Sequence, residues 1–331
     1  MHFPVLQSFL KWCSVLITSF WNYLSRISRP TIKWLLHRTT GLCELQRVCY
    51  CEPAGAHRML GVEQSLLKSK NDQLQRLVQF LNRAAVEKRF GTSNMPTIVS
   101  NAVQAVYQIK MIRPEVHQPF RKSLSECISI IWGYTQLMDD IEELRKTSYN
   151  SDDSEHERKL QELWDLLMPG RPLEARVSDS WKEIGFQGND PMTDFRGMGL
   201  LGLENLIYFS KNYSGAALHV LSHSHHPKYG YSFACVGINL THMSYHMWKD
   251  GTAKTHVFNA CHHTHAEVPD MSHFHRFYCY LYFEFDKMWL SEKPSSIMDF
   301  SRIRDLFEQR IRLQLADHST LFKLNFAIDQ I

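Results

Sequence analysis

The spacing of apolar residues is the strongest constraint on this chain. Leu124, Cys127, Ile128, Ile131, Thr135, Met138, Ile141 and Leu144 recur at three- and four-residue steps and form one apolar stripe along a helix. Helical periodicity dominates from residue 62 onward, and no segment alternates apolar with polar residues for long enough to argue a sheet. The pattern predicts an all-α, multi-helix globular fold, with helices over about 62–90, 99–112, 120–146, 154–168, 197–212, 214–224, 231–249, 271–291 and 298–315. Ser154 followed by Glu157 reads as a capping box, Ser214 as a second helix start, and Asp250-Gly251 as a helix stop. Pro169-Gly170-Arg171-Pro172 ends the fourth helix, because proline supplies no amide donor and restricts its predecessor.

Composition narrows the function classes. The chain has 331 residues, 44% hydrophobic and 21% charged, which is ordinary globular usage and enough to bury a substantial core. A formal net charge of +3, with no basic stripe interleaved with aromatics, argues against nucleic acid as a partner. The eight cysteines form no pair of CxxC units, so neither a zinc ribbon nor a secreted disulfide framework is indicated, and a reducing compartment is expected.

The first 43 residues differ from the rest. They carry Lys11, Arg26, Arg29, Lys33 and Arg38 and no acid before Glu44, and an aromatic-rich apolar run lies between Phe3 and Leu24. A spanning helix needs roughly 20 apolar residues. The run is interrupted by Lys11, and its stretch from Trp12 to Leu24 carries Ser14, Thr18, Ser19 and Asn22. Anchoring at a membrane surface through residues 1–40 is the expectation, with Trp12, Phe20, Trp21 and Trp34 suited to the interface and the basic residues to anionic head groups. A buried terminal helix is the alternative. The chain accordingly divides into a membrane-proximal segment over 1–45, an N-terminal helical region over 46–150 and a main domain over 155–315.

Residues 181–209, WKEIGFQGNDPMTDFRGMGLLGLENLIYF, form a polar, glycine-rich loop running into a helix. Gly185, Gly188, Asn189, Asp190 and Pro191 make turns. A helix is expected to begin near Asp194 to Gly197 with Thr193 or Asp194 as cap. Gly197, Gly199 and Gly202 fall in its first turns, where each glycine costs about 1 kcal/mol relative to alanine. That cost implies a close approach, either by a neighbouring helix or by a partner. Phe195 can anchor in the core while Arg196 points outward. Arg196 then either bridges Asp190 or Asp194 and fixes the loop, or offers a planar, permanently charged donor to a phosphoryl group in trans.

The eighteen histidines invite a metal reading, above all His223, His225, His226, His262, His263, His265, His273 and His275 with Cys261. No HExxH is present, and His273 and His275 would lie on different faces of a helix. Loop histidines in solvent are the plainer expectation, with no metal and no cofactor. The chain also lacks GxxxxGK[ST], and its GMG at 197–199 follows no predicted strand, so it is not expected to bind nucleotide itself.

The core IGFQGNDPMTDFRGMGLLGL resembles the signature of the ELMO (engulfment and cell motility) domain. The likeness continues through HPKYGYSFACVGINLTHM at 226–243 and FHRFYCYLYFEFDKMW at 274–289, with GLCELQRVCY at 41–50 resembling the small family members. The CHHTH at 261–265 departs from the pattern in its histidine content. The resemblance implies a GTPase activator, itself without independent catalysis, for Arf and Arf-like small GTPases in their GTP-bound state. The arginine of DFRGMG is the finger, here Arg196. Gln187, Asp190, Thr193, Asp194, Phe195, Gly197 and Gly199 form the supporting motif, and GTP and magnesium belong to the partner. A non-catalytic scaffold for small GTPases or exchange factors is the alternative, since the large family members serve a Rac exchange complex. The implied location is intracellular, in the cytosol and at membranes such as endoplasmic reticulum, lipid droplets or mitochondria.

Overall fold

The computed structural model describes residue 28 and residues 31–324, and these contain helices and turns with no strand. The apolar run from Phe3 to Leu24, with Lys11, Arg26 and Arg29, lies outside the described residues. After helical residues 31–40, the α-helices are α1 (Glu44–Cys51), α2 (Ala56–Leu67), α3 (Asp72–Val86), α4 (Met95–Lys110), α5 (Gln118–Lys146), α6 (Ser154–Leu167), α7 (Gly199–Asn212), α8 (Ser214–Ser224), α9 (Phe233–Lys249), α10 (Lys254–Thr264), α11 (Met271–Glu292) and α12 (Phe300–Leu315). None of the described helices is long and apolar enough to cross a membrane.

The 29-residue α5 organises the molecule. Residues 127–134 are buried on every face, because helices α1 to α4 pack on one side and α7 and α9 on the other. Two aromatics mark the two sides. The Trp132 indole donates to Asn82 Oδ1 of α3 at 2.8 Å, while the Tyr134 hydroxyl donates to the Trp248 carbonyl of α9 at 2.6 Å. The single stripe expected for this helix is therefore too narrow, since a helix between two layers buries its whole circumference. In the second half, α11 contributes Phe274, Phe277, Tyr278, Leu281, Tyr282, Phe285 and Trp289 to the core, all fully buried. Each such side chain contributes on the order of 2–3 kcal/mol relative to its exposed state.

Several boundaries differ from the sequence expectation. The predicted helix over 62–90 is two helices, broken at 68–71, where Asn71 Oδ1 accepts from the amides of Gln73 and Leu74 and starts α3. The cap of α6 is Asp153 and not Ser154, because Asp153 Oδ1 accepts from the amides of Glu155 and His156. Ser214 is the first residue of α8, whose N-cap Tyr213 makes no side-chain cap hydrogen bond. Cys261, His262 and His263, expected in a loop, lie in the last turns of α10.

Candidate functional site

The loop between α6 and α7 is built from two 3₁₀ turns, Asp179–Ile184 and Pro191–Arg196. Gly185 joins them at φ +84, so close to α9 that a Cβ would stand 2.1 Å from the Phe233 amide nitrogen. The Ser178 amide donates to the Asn189 carbonyl at 3.0 Å and closes the loop on itself. Asp190 caps the second turn, its Oδ1 accepting from the Met192 amide at 3.0 Å. That turn ends at Arg196, and α7 begins only at Gly199, with Met198 as N-cap. The expected helix start at 194–197, capped by Thr193 or Asp194, is thus displaced. Pro191 favours a short turn of its own and Asp190 caps it, while Asp194 Oδ2 accepts from the Gln187 amide at 3.1 Å across the loop. Burial raises the Asp194 carboxyl above its ordinary range, opposed by that amide and by the charge of Arg196.

Phe195 and Arg196 point in opposite senses. Phe195 is 1% exposed, stacked on Tyr149 at 5.5 Å and edge-on to Phe186 at 5.6 Å. Arg196 is exposed, and its Nε donates to the Thr193 carbonyl at 2.9 Å. Among the described residues it forms no ion pair. Asp190 instead accepts from Arg176 Nη1 at 2.9 Å, and Asp194 takes the Gln187 amide, so neither acid holds Arg196. Thr193 and Gly197 are exposed beside it, and Gln187 is exposed across the loop.

Three residues that sequence reasoning missed complete a ring behind this turn. Arg176 pairs through Nε with Glu157 of α6 as well as with Asp190. Glu157 accepts from the Tyr149 hydroxyl, and Tyr149 stacks on Phe195. The ring therefore runs from Tyr149 through Glu157, Arg176 and Asp190 to the turn, and back through Phe195. Arg176 sits in an irregular segment with no periodic signal, and its partners are 19 and 14 residues away, which hides it from local motif reading.

The glycines divide. At Gly199, with φ +52, a Cβ would stand 2.4 Å from the Thr147 carbonyl oxygen and 2.5 Å from that of Arg145, so α7 starts against the C-terminus of α5. Gly202 has ordinary contact distances, and nothing lies within 4 Å of a Cβ at Gly197.

The histidines singled out in the sequence are mostly engaged separately. His225 Nε2 contacts the Glu183 carbonyl, His226 Nδ1 accepts from the Lys228 and Tyr229 amides, and His262 Nδ1 faces Glu126 at 3.3 Å. His273 contacts Asp270, and the buried His275 meets Asn205 Oδ1 at 2.7 Å. His223 is the exception, lying against the buried Asp286.

The model of the ELMO/CED-12 family matches residues 139–304, which include the whole loop. The chain is similar to human ELMO domain-containing protein 2, with 45% identity over 300 residues, 90% of this chain and 96% of the relative. It is also similar to bovine ELMO domain-containing protein 1, at 40% over 316 residues, covering 90% and 91%. Dictyostelium discoideum ELMO domain-containing protein B is 33% identical over 280 residues, covering 84% and 92%.

Proposed function

The chain belongs to the ELMO/CED-12 family, and on that premise we propose that it is a GTPase activator for Arf and Arf-like small GTPases, with Arg196 as an arginine finger. The observation that carries the reading is the state of Arg196: an exposed guanidinium with no ion pair among the described residues, anchored by a buried neighbour. Phosphoryl transfer from GTP spreads negative charge over the transferred group and the leaving oxygen. A planar donor fixed in place and supplied in trans stabilises that charge without reorganising at the moment of reaction. A guanidinium already neutralised by an acid would first have to break that pair. GTP and magnesium are the partner's, and the activator contributes one side chain and the surface that presents it. Gln187, Asp190, Thr193, Asp194 and Phe195 shape the turn, and Gly197 leaves room for the GTPase.

The test is single-turnover GTP hydrolysis by a panel of Arf and Arf-like GTPases, with wild type and with Arg196→Lys. Wild type is expected to accelerate at least one member by about a thousandfold or more. Arg196→Lys should fold and bind the GTP-loaded partner while losing most of that acceleration, because an ammonium cannot replace the planar multi-donor contact. Equal rates with the two proteins would remove the finger and leave a scaffold.

A further inference from the structure

His219 and His223 stand one turn apart on α8, their ring centroids 4.1 Å apart. Facing them from α11 is Asp286, 1% exposed. One ligand-capable atom from each of the three lies within 4.8 Å of the other two, and among the described residues no other trio of histidine, cysteine or acid meets that spacing. We propose that His219, His223 and Asp286 form a binding site for a divalent transition metal, with zinc the best fit. Two imidazole nitrogens and one carboxylate oxygen suit zinc, whose three-ligand sites leave a fourth position for water. Magnesium and calcium prefer oxygen ligands and are poorly matched. Both histidines are half-buried and the carboxylate stays in the core.

The surroundings support the assignment. Asp286 Oδ1 accepts from the Tyr231 hydroxyl at 2.6 Å, which fixes the carboxylate and leaves Oδ2 directed at His223 Nδ1, 2.7 Å away. Such an outer hydrogen bond on a ligating carboxylate orients it and tunes its affinity. Ligand bonds of about 2.0–2.2 Å in a tetrahedral site hold the ligand atoms roughly 3.3 Å apart. The His223 and Asp286 atoms must therefore separate by about half an ångström as the metal replaces the proton between them. The comparison within the molecule is His242 and His246 of α9, also one turn apart with Nε2 atoms 3.0 Å apart. No acid completes a trio there. An ion at the first site ties α8 to α11, and both helices pack against α7, the helix that follows Arg196.

The experiment titrates cobalt(II) into full-length protein stripped with chelator, reads the visible ligand-field bands, and then displaces cobalt with zinc. One cobalt per chain is expected, with bands that zinc abolishes. His219→Gln, which keeps the His223–Asp286 pair, and His223→Gln should each weaken binding by more than a hundredfold. Tyr231→Phe should weaken it by about ten- to a hundredfold. The double variant His242→Gln/His246→Gln should bind as wild type does. The absence of a stoichiometric site overturns the proposal. So does a site that survives His219→Gln, or one that vanishes in the α9 double variant, which would be an adventitious chelate there.

Discussion

Gly197 and Gly199 are two residues apart, yet a methyl group at each meets different surroundings. At Gly197 the backbone is already α-helical and the added carbon touches nothing. Gly197→Ala should leave stability within about 0.5 kcal/mol of wild type, or raise it slightly by restricting the unfolded chain. At Gly199 the left-handed φ and two carbonyl oxygens nearer than 2.6 Å oppose any side chain, so Gly199→Ala should destabilise by about 2–4 kcal/mol. Denaturant midpoints measure both. If the GTPase surface approaches Gly197, Gly197→Ala lowers activation while the fold is untouched; full activity in this variant would mean that no partner approaches there. A second residue-scale effect concerns pH. Burial pushes His256 down to about 3 and His275 down to about 4, and each ring is neutral in the fold. The unfolded chain takes up a proton at each near pH 6.5, so both folded values lie below the unfolded one and stability is lost as pH falls below that point. Each histidine accounts for about 2 kcal/mol of loss between pH 7 and pH 5. His275→Gln should therefore show a thermal midpoint less sensitive to that interval than wild type, and an unchanged sensitivity would exclude the buried neutral ring as its source.

Among the elements, the turn that presents Arg196 depends on a segment that carries no motif. Arg176 joins α6 to the turn by holding Glu157 and Asp190 together, and its side chain is only 29% exposed. Arg176→Met should cost about 1–2 kcal/mol of stability. It should also lower activation by about ten- to a hundredfold by loosening Arg196, with partner binding retained. Arg171→Met removes the exposed pair with Glu183 and should change neither quantity measurably. Equal activation in the two variants would show that the ring does not position the finger. The helices themselves were largely legible in sequence, because long amphipathic or fully apolar segments such as α5, α6 and α11 keep their period. α10 was missed because its buried face includes Thr255 and His256 beside Val257, Phe258 and Cys261, so no apolar stripe marks it. α1 spans only eight residues, too few for a period to show. At the site, the anchored Phe195 and outward Arg196 followed from their adjacency and chemistry. The ion-paired ring did not, since it joins residues from three separate segments; nor did the start of α7, since Asp190 caps a separate turn and α7 itself begins after the N-cap Met198 without a side-chain cap.

On the scale of the whole molecule, the helical residues 31–40 are exposed along their whole length. Lys33 pairs with Glu44 of α1, and the turn beyond it is closed by the Gly41 amide donating to the His37 carbonyl at 2.9 Å. Ile32, Trp34, Leu35 and Leu36 remain exposed, between 41% and 63%. Apolar side chains displayed together with Lys33 and Arg38 suit the boundary of an anionic bilayer, and the acid-free residues before them carry three more basic groups. Each basic residue contributes about 1 kcal/mol near such a surface. Should these residues hold the activator at the surface that carries its GTPase, the effective concentration rises without any added contact. Removal of residues 1–30 should therefore leave the thermal midpoint and hydrolysis in solution close to wild type. Replacing Trp34, Leu35 and Leu36 by serine in the shortened chain should then cut activation on anionic liposomes by about tenfold or more. The advantage of wild type on liposomes should also shrink as salt is raised, since the basic attraction is screened within about 10 Å at 0.1 M. A shortened chain that unfolds, or loses its activity in solution, would instead make this segment part of the packed core.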